Sequence, residues 1–252
     1  MFHAHLSEFQ LLDWLLRKRY LMKNSAKLLL EFSIILGILT LIATYIVSTT
    51  SGRVAPFIPI ISEMPFAEPE ESIFSTGLGI SLFGTLLIVQ VIYRLFKPLA
   101  EKLGDFYIKG NEAIRIISTV GSVCGIITVS FNWKEFPVLH GITAFTLFTT
   151  YLISATFSYD LMKKSGLDNK IRKYSIMAGW FFYVMMAIFS VLDNIEMLDE
   201  KDDFFHRMDN PPDINTERSV YLNLTALCEW SMVFSFYISL STYRDFLKNT
   251  KI

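Results

Sequence analysis

Three titratable side chains of this sequence, Glu63, His140 and Glu229, belong to the residue types that carry out acid–base chemistry. Two carboxyl groups and an imidazole that converge can act as acid, base and orienting group. Nothing in their spacing requires them to meet, and the sequence contains no Ser-His-Asp arrangement, glycine-rich phosphate loop or Cys-x-x-Cys pair. The sequence therefore identifies no catalytic residue, metal site or cofactor, and the question of enzyme activity stays open.

Glu229 is the most informative of the three, because it lies inside a long apolar run. An ionisable side chain within a membrane span costs about 2.5–3.5 kcal/mol on insertion scales, so its presence needs a reason. Glu229 either contacts a ligand or lipid headgroup, or forms a hydrogen bond that fixes helix packing. His140 begins another apolar run, where it is either an interfacial residue or a pH-sensing group.

The composition indicates which elements must position these side chains. Hydrophobic residues make up 52% of the 252 residues, the mean hydropathy is +0.40, and only 19% of residues are charged. This composition excludes a disordered chain, a disulfide scaffold and an ordinary soluble enzyme. The formal net charge of −1 gives no basic excess that would favour nucleic acid as a partner. A multi-pass membrane protein remains.

Six apolar segments have the length of about 20 residues that a bilayer core requires. They are Leu28–Ser48, Ile73–Phe96, Ala113–Phe131, Val138–Met162, Lys173–Asp193 and Ser219–Tyr243. All eight prolines lie outside these segments, which supports the boundaries independently because proline removes a backbone donor that lipid cannot replace. We predict an all-α membrane protein, a bundle of six transmembrane helices.

The basic residues beside these spans predict the orientation of the bundle. Eighteen of the 23 Lys and Arg residues fall before the first span, between the second and third, between the fourth and fifth, and after the sixth. Five fall on the opposite side. By the positive-inside rule, both termini are cytoplasmic. Acidic residues dominate the opposite side, and the run in the last of these loops is typical of a solvated charge cluster.

The segments outside the bundle are short. Residues 1–27 combine an apolar stretch with a basic cluster, and this pattern predicts a cytoplasmic segment that is either an amphipathic helix in the interface or a partly ordered tail. Residues 28–248 form the six-span domain, and residues 249–252 form a cytoplasmic tail. Within the third span, Gly121 and Gly125 form a small-xxx-small pair that favours close helix packing.

The stretch after the first span resembles the signature of the Frag1/DRAM/Sfk1 family. It reads SGRVAPFIPIISEMPFAEPEESIFSTGL from Ser51 to Leu78. The family has a Pro-aromatic run, an Ile-Ser-Asp-like triplet with Glu63 in place of the usual Asp, and then a Pro-Glu pair and a Phe. The prolines favour an extended, stiff lid whose polar tip, Ser62–Glu63, folds over the mouth of the bundle.

A second match runs from Val220 to Phe246, VYLNLTALCEWSMVFSFYISLSTYRDF, and is similar to the last span of the DRAM (damage-regulated autophagy modulator) branch. It includes a Cys-Glu-Trp triplet, whose last two residues are Glu229 and Trp230. His140 stands where related members carry a histidine. On this resemblance, Ser62, Glu63, His140, Glu229 and Trp230 are the candidate residues for binding a ligand or lipid.

The resemblance implies more than one function. The DRAM branch implies a non-enzymatic regulator of autophagy and membrane lipid state in lysosomal or other endomembranes. Other branches imply a plasma-membrane scaffold that recruits a phosphoinositide kinase, or an enzyme or subunit of the type that remodels the fatty acids of GPI anchors, with Golgi or ER as the alternative compartment. The implied partners are membrane lipids and cytoplasmic autophagy or phosphoinositide-kinase machinery.

Overall fold

The computed structural model describes residues 8–54, 57–199 and 219–249. The helices in these ranges are α1 (Glu8–Thr50), α2 (Glu70–Leu103), α3 (Asp105–Ser130), α4 (Pro137–Lys164), α5 (Lys170–Asp199), α6 (Val220–Ser241) and α7 (Tyr243–Asn249), and a short 3-10 helix spans Ile61–Glu63. Within the described residues, six helices are long and apolar enough to cross a membrane. The predicted six-span, all-α membrane fold is confirmed. The acidic run of the last loop lies largely outside the described residues.

Helices α1 to α5 extend beyond the predicted spans at one end or both. Helix α1 begins at Glu8 and continues without a break into the first span. Helix α2 passes through Pro98 and ends only at Leu103, and α3 begins at Asp105. Gly104, with φ +100, makes the tight turn between them. Whether residues 1–27 lie in the membrane interface stays a prediction.

The helices form an up-and-down bundle in which successive neighbours pack. Helix α1 lies against α2, α2 against α3, and α3 against α4, while α5 packs mainly against α6. Helix α7 returns to contact α1, where Arg244 Nε lies 2.7 Å from Glu31 Oε1. The α2–α3 turn, the α4–α5 turn and α7 share this end, which we call the terminal end. The opposite end, with residues 51–54, 57–69 and 131–136, is the loop end.

Helices α3 and α4 approach each other closely at the two glycines of the small-xxx-small pair. A Cβ atom built on Gly121 would lie 2.0 Å from Thr150 Oγ1 on α4. A Cβ atom on Gly125 would lie 3.0 Å from Leu147 Cδ1. Because a side chain at Gly121 would displace the Thr150 side chain or α4 itself, this glycine permits the close approach of the two helices.

Replacement of Gly121 by alanine is therefore expected to lower the stability of the bundle by about 1–3 kcal/mol, the usual cost of overpacking. Thermal unfolding in detergent, followed by size-exclusion chromatography, measures the loss. The second replacement Thr150→Ala is expected to restore most of it. Gly79→Ala is the matched control, because nothing lies within 4 Å of a Cβ atom there. Equal losses in Gly121→Ala and Gly79→Ala would contradict the packing argument.

Candidate functional site

The segment between α1 and α2 folds inward and closes the loop end of the bundle. We call residues 57–69 the lid. Its prolines disfavour a helix over most of its length, so the 3-10 turn Ile61–Glu63 is followed by turns and bends up to the start of α2. Ile61 and Met64 are buried, with 6% and 1% exposure, and pack against Leu41 and Phe74. The lid is therefore part of the core at this end.

Helix α6 holds the lid through two neighbouring side chains. Glu229 is 7% exposed, and its Oε2 accepts a hydrogen bond of 2.6 Å from the backbone N–H of Ile61. The Trp230 indole Nε1 donates to the carbonyl oxygen of Pro59 over 2.8 Å. Irregular backbone at membrane depth must find its hydrogen bonds within the protein. Glu229 and Trp230 supply them here.

Helix α4 holds the tip of the lid through a serine–histidine pair. Ser62 Oγ lies 3.0 Å from His140 Nε2, and His140 Nδ1 lies 2.8 Å from the carbonyl oxygen of Phe131. A carbonyl oxygen can only accept, so we assign the ring proton to Nδ1 from the hydrogen-bond network. His140 Nε2 is then the acceptor for the Ser62 hydroxyl.

The structure separates Glu63 and Trp230 from the other candidate residues. Ser62, His140 and Glu229 all line one interior cavity. The Glu63 carboxylate instead accepts from the backbone N–H of Ile60 at 3.0 Å and so stabilises the turn itself. Trp230 packs edge-to-face on Tyr45 outside the cavity lining, with ring centroids 6.3 Å apart.

A second set of contacts joins the segments around the lid, at Arg53 and Asn132, to the first turn of α2. Arg53 Nη1 forms an ion pair with Glu70, whose side chain is fully buried, and also donates to the carbonyl oxygen of Glu68 over 2.7 Å. Asn132 Nδ2 donates to Glu71 Oε1 at 3.0 Å. Sequence reasoning did not single out Arg53 and Glu70 as a pair. The available signal was a basic residue on the acidic side of the protein close to the Pro-Glu motif.

The cavity has a volume of about 210 Å³ and runs along the interior from the lid to the terminal end. Its middle is apolar, with Phe74, Leu78 and Ile88 of α2 among the lining residues. At the terminal end it reaches Tyr93 and Arg115. Among the described helices, α5 contributes no side chain to the lining.

Polar side chains at the terminal end of the cavity form hydrogen bonds and ion pairs with one another. Glu112 Oε1 accepts from Arg115 Nε over 3.2 Å, and Glu112 also accepts from the Tyr93 hydroxyl. The Arg115 guanidinium lies 4.9 Å from the centroid of the Tyr93 ring. Asn111 Nδ2 donates to the carbonyl oxygen of Tyr93 over 3.1 Å. The cavity thus has an apolar middle between two polar ends, which is the distribution that suits an amphiphilic ligand.

Comparison with known proteins identifies the family. Residues 25–248 match the Frag1/DRAM/Sfk1/Cwh43P N-terminal domain. The chain belongs to this family. The match covers the lid, His140, Glu229 and Trp230, so the resemblance predicted from the two motifs is confirmed. As a family member with six helices long and apolar enough to cross a membrane among its described residues, the chain is a multi-pass membrane protein. In the part of the chain that the structure describes, no group of three or more His, Cys, Asp or Glu side chains could hold a metal ion.

Three relatives match this chain over most of its length. The DNA damage-regulated autophagy modulator protein 1 of Xenopus laevis is 25% identical over 210 residues, which is 81% of this chain and 83% of the relative. The proteins of the same name from Homo sapiens and Mus musculus are 25% and 26% identical over 220 residues, covering 81% of this chain and 84% of each relative. No solved structure matches the chain.

Proposed function

We propose that this protein is a membrane regulator of autophagy that works by holding a membrane lipid in its interior cavity. The observation that carries the proposal is the cavity itself, about 210 Å³ in volume, apolar in its middle and closed at the loop end by the lid. The names of the three relatives support autophagy as the process. Lysosomal or other endomembranes are the proposed compartment, with both termini in the cytoplasm.

A lipid is the occupant that best fits the chemistry of the lining. Apolar side chains of α2, α3, α4 and α6 face the cavity and match acyl chains, while Ser62, His140 and Glu229 offer hydrogen-bonding groups at one end. An acyl chain is the apolar material that a bilayer supplies at this depth. Because Ser62 belongs to the lid, and His140 and Glu229 hold the lid in place, occupancy and lid position are coupled in this proposal.

In this proposal, the orientation of the bundle places the terminal end of the cavity on the cytoplasmic side, where partners bind. Eighteen of the 23 basic residues belong, by sequence, to the segments predicted to face the cytoplasm. Autophagy machinery acts in the cytoplasm in this proposal, so it meets the α2–α3 turn and the chain ends. The lid then faces the lumen. A lipid bound in the cavity therefore connects the lumenal end of the bundle with its cytoplasmic end.

Filling the cavity tests the proposal. Ala144 lines the cavity, so Ala144→Phe is expected to abolish the lipid that copurifies with the wild-type protein, as measured by native mass spectrometry. It is also expected to abolish rescue of autophagic flux in cells that lack the protein. Ala178→Phe on α5, outside the lining, is the matched control.

Two outcomes would overturn the proposal. One is a wild-type protein that purifies folded but without bound lipid. The other is an Ala144→Phe variant that loses its lipid and still restores flux fully. A tagged protein that colocalises with a plasma-membrane marker and not with a lysosomal marker would overturn the proposed compartment alone.

A further inference from the structure

We infer that the terminal end of the cavity binds the head of an uncharged lipid alcohol, a lipid whose polar head is a hydroxyl group, as in a sterol or a diacylglycerol. This inference rests on the proposed lipid occupancy, and it names the class of the lipid and the direction in which it lies. It starts from three buried polar side chains that line the cavity and have hydrogen-bonding groups to spare, Asn111, Ser158 and Tyr243.

The asparagine of this set, on α3, and the serine, on α4, lie at the same depth in the bundle. On one side of them the Tyr107 hydroxyl donates to Asp160 Oδ2 over 2.6 Å, and on the other side Ser118 Oγ donates to Ser154 Oγ over 2.8 Å. Because α3 and α4 are antiparallel neighbours, both side chains fall between these two contacts.

These two side chains lack partners within the protein. Asn111 Nδ2 donates to the carbonyl oxygen of Tyr93, but among the described residues nothing donates to Asn111 Oδ1. The Ser158 hydroxyl has no hydrogen bond to any described residue. Both side chains are only 4% exposed. Buried polar groups are normally satisfied, so two open ones on a cavity wall indicate a ligand that supplies the partners.

Tyr243 of α7 completes the set. Its ring packs against Phe96, with centroids 6.2 Å apart, and the Arg172 guanidinium lies 4.1 Å from the ring centroid. Arg172 is 1% exposed and does not line the cavity, so the tyrosine and not the guanidinium meets the ligand. The Tyr243 hydroxyl also has no hydrogen bond to the part of the chain that the structure describes.

The charges around the cavity disfavour a phosphate headgroup. Among the described lining residues, Arg115 is the one Lys or Arg, and it already forms an ion pair with Glu112. A phosphodiester brings a negative charge and has no hydrogen to donate to Asn111 Oδ1. A hydroxyl group carries no charge and both donates and accepts, so it can satisfy the amide oxygen and a neighbouring hydroxyl together.

The lid fixes the direction of the lipid. At the loop end, the Ser62 hydroxyl is bonded to His140, and Glu229 uses one carboxyl oxygen for the Ile61 N–H. These groups hold the lid, whereas the open groups lie at the terminal end. The head of the lipid therefore lies at the terminal end, and its apolar body extends through the middle of the cavity towards the lid.

Titration of the delipidated full-length protein, followed by native mass spectrometry, tests the inference. Cholesterol, dioleoylglycerol or both are expected to bind at least about tenfold more tightly than phosphatidylcholine, and the comparison identifies which alcohol is preferred. The methyl ether of the preferred alcohol keeps the acceptor oxygen but loses the donor. It is expected to bind about tenfold more weakly than the alcohol, because Asn111 Oδ1 then stays unsatisfied.

Variants locate the head of the lipid. Ser158→Ala and Tyr243→Phe each remove one hydroxyl group and are expected to weaken binding of the alcohol about fivefold to tenfold. Since neither hydroxyl has a partner among the described residues, thermal unfolding of the lipid-free variants is expected to match the wild type. Ser235→Ala is the matched control. Ser235 is buried outside the lining and donates to the Ser231 carbonyl oxygen, so alcohol binding should not change.

The outcomes separate this inference from the proposed function. Phosphatidylcholine that binds as tightly as the alcohols would overturn the inference and leave lipid occupancy standing. Full affinity of both hydroxyl variants for the alcohol would do the same for the assigned position of the head. Folded wild-type protein that binds none of the three lipids would overturn the inference and the proposed function together.

Discussion

Replacement of Arg53 by alanine is expected to lower the free energy of unfolding by about 3 kcal/mol. The variant leaves the fully buried Glu70 carboxylate without its cationic partner, and breaking one side of a buried ion pair typically costs about 3–5 kcal/mol. The lower end of this range applies because the Arg53 side chain is itself 37% exposed. Unfolding in mixed detergent micelles, followed by circular dichroism, measures the change.

Two further variants make this result specific. The double variant Arg53→Ala/Glu70→Gln removes the uncompensated charge and is expected to recover part of the lost stability. Arg244→Ala breaks an ion pair with Glu31 in which the arginine side chain is 60% exposed, and it is expected to cost at most about 1 kcal/mol. If Arg53→Ala and Arg244→Ala lose the same free energy, burial of Glu70 is not what makes the Arg53 pair important.

Replacement of Glu229 by leucine is expected to release the lid. Leucine leaves the Ile61 N–H without an acceptor inside the bundle, and an unsatisfied buried donor costs about 1–3 kcal/mol. Amide hydrogen exchange of residues 57–66, measured by mass spectrometry in nanodiscs, is therefore expected to accelerate by about tenfold or more, since 1.4 kcal/mol corresponds to a factor of ten. The copurifying lipid should decrease in parallel.

The controls separate the hydrogen bond from the loss of charge. Glu229→Gln keeps a carbonyl oxygen that can accept from Ile61, so its lid is expected to exchange at close to the wild-type rate. Glu112→Leu removes a carboxylate at the opposite end of the cavity and is expected to leave lid exchange unchanged. Fast lid exchange in the glutamine variant would show that the charge of Glu229, and not its acceptor oxygen, holds Ile61.

Hydropathy was sufficient to predict the six spans, because lipid imposes a minimum length and forbids unpaired backbone groups. It could not locate the ends of the helices. Helix α2 continues through Pro98 because a proline near the end of a long helix removes only one backbone donor, and beyond the bilayer water can satisfy the carbonyl left free. Water beyond the bilayer can also satisfy the free backbone groups at the ends of α1 and α3, so these helices extend beyond their predicted spans.

The candidate site was predictable in part. The cost of placing a carboxyl group in lipid singled out Glu229, and the structure places it in the interior with a hydrogen bond to the lid. The Ser62–His140 contact could not be predicted, because it depends on how deeply the lid enters the bundle and not on any spacing in the chain. The ion pair of Arg53 with Glu70 was missed for a related reason, since the pairing of a loop residue with the first residue of α2 leaves no periodic signal.

The lengths of the helices have a consequence for anything that approaches the terminal end. With 34 residues, α2 is about 50 Å long at 1.5 Å per residue, while the hydrocarbon layer is about 30 Å thick. The last turns of α2 and the first turns of α3 therefore extend beyond the hydrocarbon layer into the headgroup region, as a helical hairpin closed by Gly104. A peripheral protein that binds at this face meets folded polypeptide as well as lipid headgroups.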